Sequence, residues 1–221
     1  MAEFRNCRLP MSREEAASLQ LGDMVTLDGT IMATAGIPTH KRIVDCIHGR
    51  EELPVDLANA AFFHLGSFSR DQTDEDGRFD VLYMNPTTST RFNDVMPEII
   101  RHFQLRCVGG KGGLDEHCAR ALGEVGGVYL SFLGGGSPLL SASIRRVVDV
   151  AWRDMIPHYR LVTLEVSGLG PLTVGIDSKG NSLYDRLAKQ AADRREDILK
   201  ALGAARSGTP AAGPSPRQIE D

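Results

Sequence analysis

The chain has 221 residues, 42% of them hydrophobic, and a formal net charge of −4. That is enough apolar material for one good core with at most a small appendage, and the acidic balance gives no reason to expect nucleic acid or an anionic membrane as partner. No apolar run approaches the roughly 18 residues of a membrane-spanning helix, and Met1-Ala2-Glu3-Phe4-Arg5-Asn6-Cys7 lacks the apolar centre of a signal peptide, so the expected location is the cytoplasm.

Ser12 with Glu14 and Glu15 predicts a capped helix start, the helix ending near Gly22. Residues 24–35 read as extended chain interrupted at Asp28-Gly29, and Pro38-Thr39 opens a helix carrying Ile43, Val44 and Ile47 on one face. Residues 60–65 predict a strand. Residues 69–78, with three aspartates, a glutamate and a glycine, predict a surface hairpin tip. Next come a strand at 79–84, a helix around 93–103, a strand at 104–108, a helix around 114–125 and a strand at 127–132. The Gly134-Gly135-Gly136-Ser137-Pro138 turn leads into another helical stretch, followed by strands at 147–152, 161–166 and 172–176 and a charged amphipathic helix at 182–202. The remainder is rich in Ala, Gly, Pro and Ser and is expected to be disordered, which makes residues 1–203 the domain and 204–221 a tail. Helices and strands alternate in the middle while strands cluster late, so the expected fold is a single α/β domain with a mixed sheet.

The four cysteines, Cys7, Cys46, Cys107 and Cys118, are scattered without a C-x-x-C pair. Disulfides do not suit a reducing compartment, and zinc or iron–sulfur ligation needs closer spacing, so no metal is expected on this chain. Cys46 and Cys118 fall on apolar helix faces and read as buried small hydrophobes; Cys107 stands close to Lys111.

Two polar loops carry the chemistry: Asn85-Pro86-Thr87-Thr88-Ser89-Thr90-Arg91 and Gly109-Gly110-Lys111-Gly112-Gly113. Each follows a strand-like run and precedes a helix-like one, which gathers hydroxyls, open amides and a fixed cation where α/β proteins hold carboxylates or phosphates. Four glycines around Lys111 are a costly amount of backbone freedom unless the loop must approach something closely. The spacing of a P-loop is missing. Thr87 and Thr88 read equally as caps of the helix that follows, and Arg91 as a solvated first-turn arginine. His64 reads as structural, and Gly134-Gly135-Gly136 as a tight packing turn.

In order along the chain, Leu21-Gly22-Asp23, Leu27-Asp28-Gly29-Thr30, Thr39-His40-Lys41-Arg42, Leu53-Pro54-Val55-Asp56-Leu57 and Phe63-His64-Leu65-Gly66 precede the two loops. Trp152, Gly170-Pro171-Leu172-Thr173-Val174, Ile176-Asp177-Ser178 and Gly180-Asn181 follow them. The series, over roughly residues 15–200, resembles the β subunit or C-terminal domain of the iron–sulfur hydro-lyases, class I fumarase and L(+)-tartrate dehydratase. The resemblance implies a swivelling β/β/α domain that closes over an α subunit holding a [4Fe–4S] cluster, in a dimer of heterodimers. It implies reversible hydration or dehydration of a hydroxy-dicarboxylic acid, active only with that partner. Such a reaction must stabilise charge developing beside a carboxylate and needs a Lewis acid for the departing hydroxide. Lys111 and Arg91 suit the first need, while the absence of a cysteine set assigns the second to the partner. Carried over residue by residue, Thr87 takes part in proton transfer with Lys111 as the second catalytic residue, and Arg91, His40 and Thr88 contact substrate.

One departure is pointed. Family members carry Arg-Asp four and three residues before the histidine of this region, where this chain has Gly36 and Ile37. Loss of that carboxylate clamp removes a charge-assisted contact worth about 1.5–3 kcal/mol. Lys41, Arg42 or the partner compensates, or the second carboxylate is bound differently, as in a branched dicarboxylate or an acid with a neutral group at that end. The competing readings are a non-catalytic carboxylate- or anion-binding module that has kept the fold, and a phosphate-ester-binding domain using the Lys111 loop.

Overall fold

Phe62, Val108 and Tyr129 point to one side of their strands, and Phe63, Cys107, Val128 and Leu130 to the other, yet all are buried. Strands apolar on both faces must be covered on both, and that dictates the layering here. The computed structural model describes residues 4–73 and 79–206, with side chains at 4–68 and 83–206. Met1–Tyr184 form one compact unit and Asp185–Asp221 a second.

The elements are β1 (Arg5–Arg8), α1 (Arg13–Ala17), β2 (Met24–Ala33), α2 (Ile37–Ile47), β3 (Ala61–Phe63), β4 (Leu65–Thr73), β5 (Phe79–Pro86), α3 (Met96–Phe103), β6 (Cys107–Gly110), α4 (Glu116–Val125), β7 (Val128–Ser131), α5 (Ser137–Ser141), β8 (Ile144–Ala151), β9 (Leu161–Ile176) and α6 (Leu183–Arg206). Strands β1, β2, β3, β6 and β7 run parallel, each to the next, while β9 runs antiparallel to β2, β7 and β8. The result is a mixed α/β fold with a mixed sheet of order β1-β2-β3-β6-β7-β9-β8, in which β9 also pairs with β2. The path β2-β3-β6-β7-β9 therefore returns to β2 and closes on itself. Strands β4 and β5 form a separate antiparallel pair.

The core falls into two parts. Ile43 of α2, Met96, Ile99 and Ile100 of α3, and Cys118, Ala121 and Leu122 of α4 cover Phe62, Val108 and Tyr129. On the other face Phe63, Cys107 and Leu130 meet Leu27, Ile31, Leu164, Leu172 and Val174 from β2 and β9. Helices, parallel strands and antiparallel strands thus form successive layers. Local signals behave as their chemistry requires: Ser12 Oγ accepts from the Glu15 amide at 3.1 Å, and Asp115 Oδ1 from the Cys118 amide at 3.0 Å.

The differences from the sequence reading have physical causes. β1 was not foreseen; its four residues bury only Cys7 and carry no readable alternation. α1 ends at Ala17, well before Gly22, and α3 begins at Met96 because a 3-10 turn, Ser89–Phe92, intervenes. The strands expected at 161–166 and 172–176 are one strand of 16 residues, whose partner changes from β8 to β7 across Gly168, Gly170 and Pro171. The excursion expected at 69–78 is strand up to Thr73 and again from Phe79; residues 74–78 lie outside the described residues. α6 continues to Arg206, past the expected end at 202, and the rest of the expected tail, 207–221, also lies outside them. Among the described residues no helix is long and apolar enough to cross a membrane.

Candidate functional site

The parallel strands β2, β3, β6 and β7 all deliver their carboxyl ends to one edge of the sheet, where α/β folds place their ligands. The residue after β3 is His64, and its amide donates to the Gly109 carbonyl of β6 at 2.7 Å. Thr87, after β5, donates its amide to the His64 carbonyl at 2.9 Å. The Lys111 amide then donates to the Thr87 carbonyl at 3.0 Å and the Ser89 amide to the Lys111 carbonyl at 2.8 Å, with Thr88 and Lys111 paired as a parallel bridge. The two loops singled out in the sequence are thus stitched together, backbone to backbone, as a short extension of the sheet.

Glycine is required where this seam is tightest. A Cβ on Gly110 would run into Ser89 Oγ and reach His64 Cβ at 3.0 Å. Gly113 combines φ +82° with a Tyr184 ring 2.6 Å from where a Cβ would stand. Gly110 lets the Thr87 loop and the Lys111 loop meet without a side chain between them, and Gly113 lets the Tyr184 ring pack against the Lys111 loop.

In the 3-10 turn Ser89 and Phe92 are buried, which turns Thr90 and Arg91 outward. Arg91 Nη1 lies 3.4 Å from Thr87 Oγ1, a long, weak contact. Thr88 occupies the cap position of the turn but makes no side-chain capping bond. Lys111 is partly exposed, and its stem passes the β7–α5 loop, its Cδ 3.9 Å from where a Cβ on Gly134 would stand. Neither Arg91 nor Lys111 has an ion-pair partner among the described residues. Two cations and a hydroxyl therefore stand on adjoining loops with no anion of their own.

His40 takes a different place from Thr87, Thr88, Arg91 and Lys111. It is fully buried, donates from Nδ1 to the Gly36 carbonyl at 2.6 Å, and stacks on Phe92 with ring centroids 3.8 Å apart. His64, equally buried, packs against the same ring at 4.6 Å. Burial lowers the His40 pKa to about 4, the Gly36 carbonyl opposing only in part. Burial likewise drives His64 well down, with the neighbouring His40 adding to the effect.

Both imidazoles are thus neutral in the fold but take up protons near pH 6.5 once exposed. The stability this contributes is present above about pH 6.5 and is lost as the pH falls towards the folded values, about 4 for His40. In that window each ring steepens the fall by up to about 1.4 kcal/mol per pH unit. Denaturant midpoints taken from pH 7.5 down to 4.5 measure it, with His40→Phe expected to flatten the curve. A pH-independent midpoint across that range contradicts neutral burial.

The position of Gly36 is tight. A Cβ there would strike Thr39 Oγ1 and come within 2.9 Å of Tyr159 Cβ, so a side chain fits only if Thr39 and Tyr159 shift. Its neighbour Ile37 is 45% exposed and presents only hydrocarbon at this edge. Arg42 is already engaged, donating from Nε to Glu51 at 2.6 Å and from Nη1 to Asp154 at 3.1 Å, with its guanidinium 4.9 Å over Trp152. Lys41 is exposed and has no ion-pair partner among the described residues.

The cysteines do not fit an iron–sulfur cluster. Cys7, Cys107 and Cys118 are buried on three different elements, their thiols pushed up chiefly by burial, and Cys46 lies on a fourth. Among the described residues no cluster of three or more His, Cys, Asp or Glu side chains could hold a metal ion.

Sequence reading missed Ser89, Tyr129 and His64 as a connected set beneath the loops. Ser89 Oγ is 2.8 Å from both Tyr129 Oη and His64 Nδ1. The one available signal was a histidine immediately after an apolar strand, at the edge where ligands bind.

Comparison with known proteins agrees with the order of these motifs. Residues 3–187 match the family described as Fumarase C-terminus. The protein of Methanocaldococcus jannaschii named "Putative L(+)-tartrate dehydratase subunit beta" is 32% identical over 190 residues, covering 86% of this chain and 95% of that one. The L(+)-tartrate dehydratase subunit beta of Escherichia coli is 26% identical over 193 residues, 87% of this chain and 92% of that one. A Geobacillus stearothermophilus protein named "Putative fumarate hydratase class I" is 31% identical over 185 residues, 84% of this chain but 34% of that longer protein. With its matched segment running through the strands, both loops and the helices that bury them, the chain belongs to the Fumarase C-terminus family.

Proposed function

We infer that this chain is the β subunit of a two-component hydro-lyase that adds water to, or removes it from, a hydroxy-dicarboxylic acid. The observation that carries the reading is a pair of cations, Arg91 and Lys111, without ion-pair partners among the described residues, on loops hydrogen-bonded to one another, with the Thr87 hydroxyl in long contact with Arg91. Names of relatives of nearly the same length, both L(+)-tartrate dehydratase β subunits, support it.

In this reading Arg91 grips a substrate carboxylate, for which its planar fork is suited. Lys111 places a compact positive charge where negative charge develops as the neighbouring C–H proton leaves. Thr87 Oγ1 moves that proton, the Arg91 and Lys111 charges favouring the ionised hydroxyl. Thr88 lines the same seam. His40 acts from behind, holding Phe92 and hence the Arg91 turn, rather than touching substrate. The [4Fe–4S] cluster, with its Lewis acidity towards the departing hydroxyl, belongs to an α-type partner, over which this chain closes as a swivelling domain in a dimer of heterodimers.

With no side chain at Gly36, only hydrocarbon at Ile37 and Arg42 committed to Glu51 and Asp154, the second carboxylate falls to Lys41 or the partner, or the acid is branched or carries a neutral group at that end. The same missing clamp is what favours the second reading, a carboxylate-binding module without turnover. Co-expression with a cluster-bearing α-type subunit, followed by an anaerobic screen of hydroxy-dicarboxylates, decides between them. The hydro-lyase reading expects a stable complex with turnover and none from this chain alone. A complex that binds dicarboxylates without converting any of them favours the module, and failure of the two chains to associate removes the hydro-lyase reading.

A further inference from the structure

The loops that carry Thr87 and Lys111 rest on buried polar groups that the chemistry above does not use. Tyr129, on β7, lies with its Oη 2.8 Å from Ser89 Oγ, and Ser89 Oγ lies 2.8 Å from His64 Nδ1. All three residues are fully enclosed. The bond with Ser89 eases in part the upward push that burial and the neighbouring Tyr184 give the Tyr129 pKa. The Ser89 oxygen thus ties the Thr87 loop to β7 and to the β3–β4 junction, while the Ser89 amide holds the Lys111 carbonyl at 2.8 Å.

The proton order along this row follows from counting donors. If Ser89 donated to Tyr129, the phenol proton would lack an acceptor among the described residues. If Tyr129 and His64 both donated to Ser89, the serine proton would be stranded. Only Tyr129 to Ser89 to His64 places both hydroxyl protons, and it puts the His64 proton on Nε2. At the neighbouring ring, donation from His40 Nδ1 to the Gly36 carbonyl leaves Nε2 as an acceptor. The two imidazole nitrogens without partners are then one donor and one acceptor, on rings 5.2 Å apart. The reverse order would leave both of these buried nitrogens as lone pairs and strand a hydroxyl proton as well.

We propose that Tyr129, Ser89 and His64 are positioning residues, a proton-ordered clamp that fixes the spacing of the Thr87 hydroxyl and the Lys111 ammonium. The catalytic half of this role rests on the hydro-lyase reading above. Small displacements of reacting groups cost rate while leaving substrate binding almost intact. In the assembled complex Tyr129→Phe, which keeps the ring and removes one oxygen, should lower kcat about tenfold with KM within about twofold of its starting value. Ser89→Ala should do the same. Proton-detected nitrogen spectra of the imidazoles in the unaltered full chain, assigned by single histidine substitutions, should show His64 protonated on Nε2 and His40 on Nδ1. In Tyr129→Phe the His64 signals should shift.

An active complex in which both variants keep their kcat overturns the clamp, and so does a His64 ring protonated on Nδ1. If the unaltered complex has no hydro-lyase activity, the functional reading fails by itself, and the spectra still decide the proton order.

Discussion

Replacing Lys111 with alanine is expected to lower kcat of the assembled enzyme by about 10²–10³-fold, the usual cost of removing one preorganised group from developing charge. Its thermal midpoint should barely move. The expectation rests on where the residue stands. Its backbone is held on both sides, the amide donating to Thr87 and the carbonyl accepting from Ser89, and neither bond needs the side chain. The side chain is partly exposed and pairs with no acid among the described residues, so its loss opens no core and strands no partner. A surface change of this kind shifts stability by no more than about 0.5 kcal/mol. Steady-state kinetics of the complex, together with a melting curve, measure both halves. Lys111→Arg, which keeps charge but spreads it over a plane, should recover part of the rate. Near-normal turnover of Lys111→Ala would falsify the assignment.

The largest effect on stability is expected at Phe92. Its ring is fully buried, stacked on His40 at 3.8 Å and tilted against His64 at 4.6 Å. Phe92→Ala should cost about 3–5 kcal/mol, the transfer term plus the cavity it leaves. In a domain of this size that is a fall on the order of 10 °C in midpoint. Water admitted to the vacated space would also relieve the desolvation of both imidazoles, and the acid sensitivity between pH 6.5 and 4 should weaken in the variant. Phe92→Leu, which refills most of the volume, should lose far less. Unfolding curves for the three proteins at two pH values test this, and a loss below about 1 kcal/mol for the alanine variant contradicts the packing described.

Much of this was readable in the sequence where local chemistry decides the outcome. The Lys111 loop announced itself because four glycines around one cation are expensive without a close approach, and the structure supplies that approach at Gly110 and Gly113. Strands β3, β6 and β7 were found near their places because apolar runs between breakers have few other uses. β9 was split in two because Gly168, Gly170 and Pro171 are breakers locally, whereas pairing with β2 along nearly the whole strand overrides them. The row beneath the site escaped because Ser89 lies 25 positions from His64 and 40 from Tyr129. Nothing short of the folded topology brings those three together. Gly36 stands where the family has an arginine, but that Thr39 and Tyr159 would have to move for a side chain there is a three-dimensional fact.

The closed path of strands has a consequence for how the molecule is made. Its last member, β9, is also the last strand among the described residues, and it is the piece that joins β2 to β7. While the nascent chain is still short of Leu161, both of those neighbours carry a row of bare amides and carbonyls, the kind of edge that recruits strands from other copies. A product truncated before that point should therefore aggregate rather than persist as a smaller soluble protein.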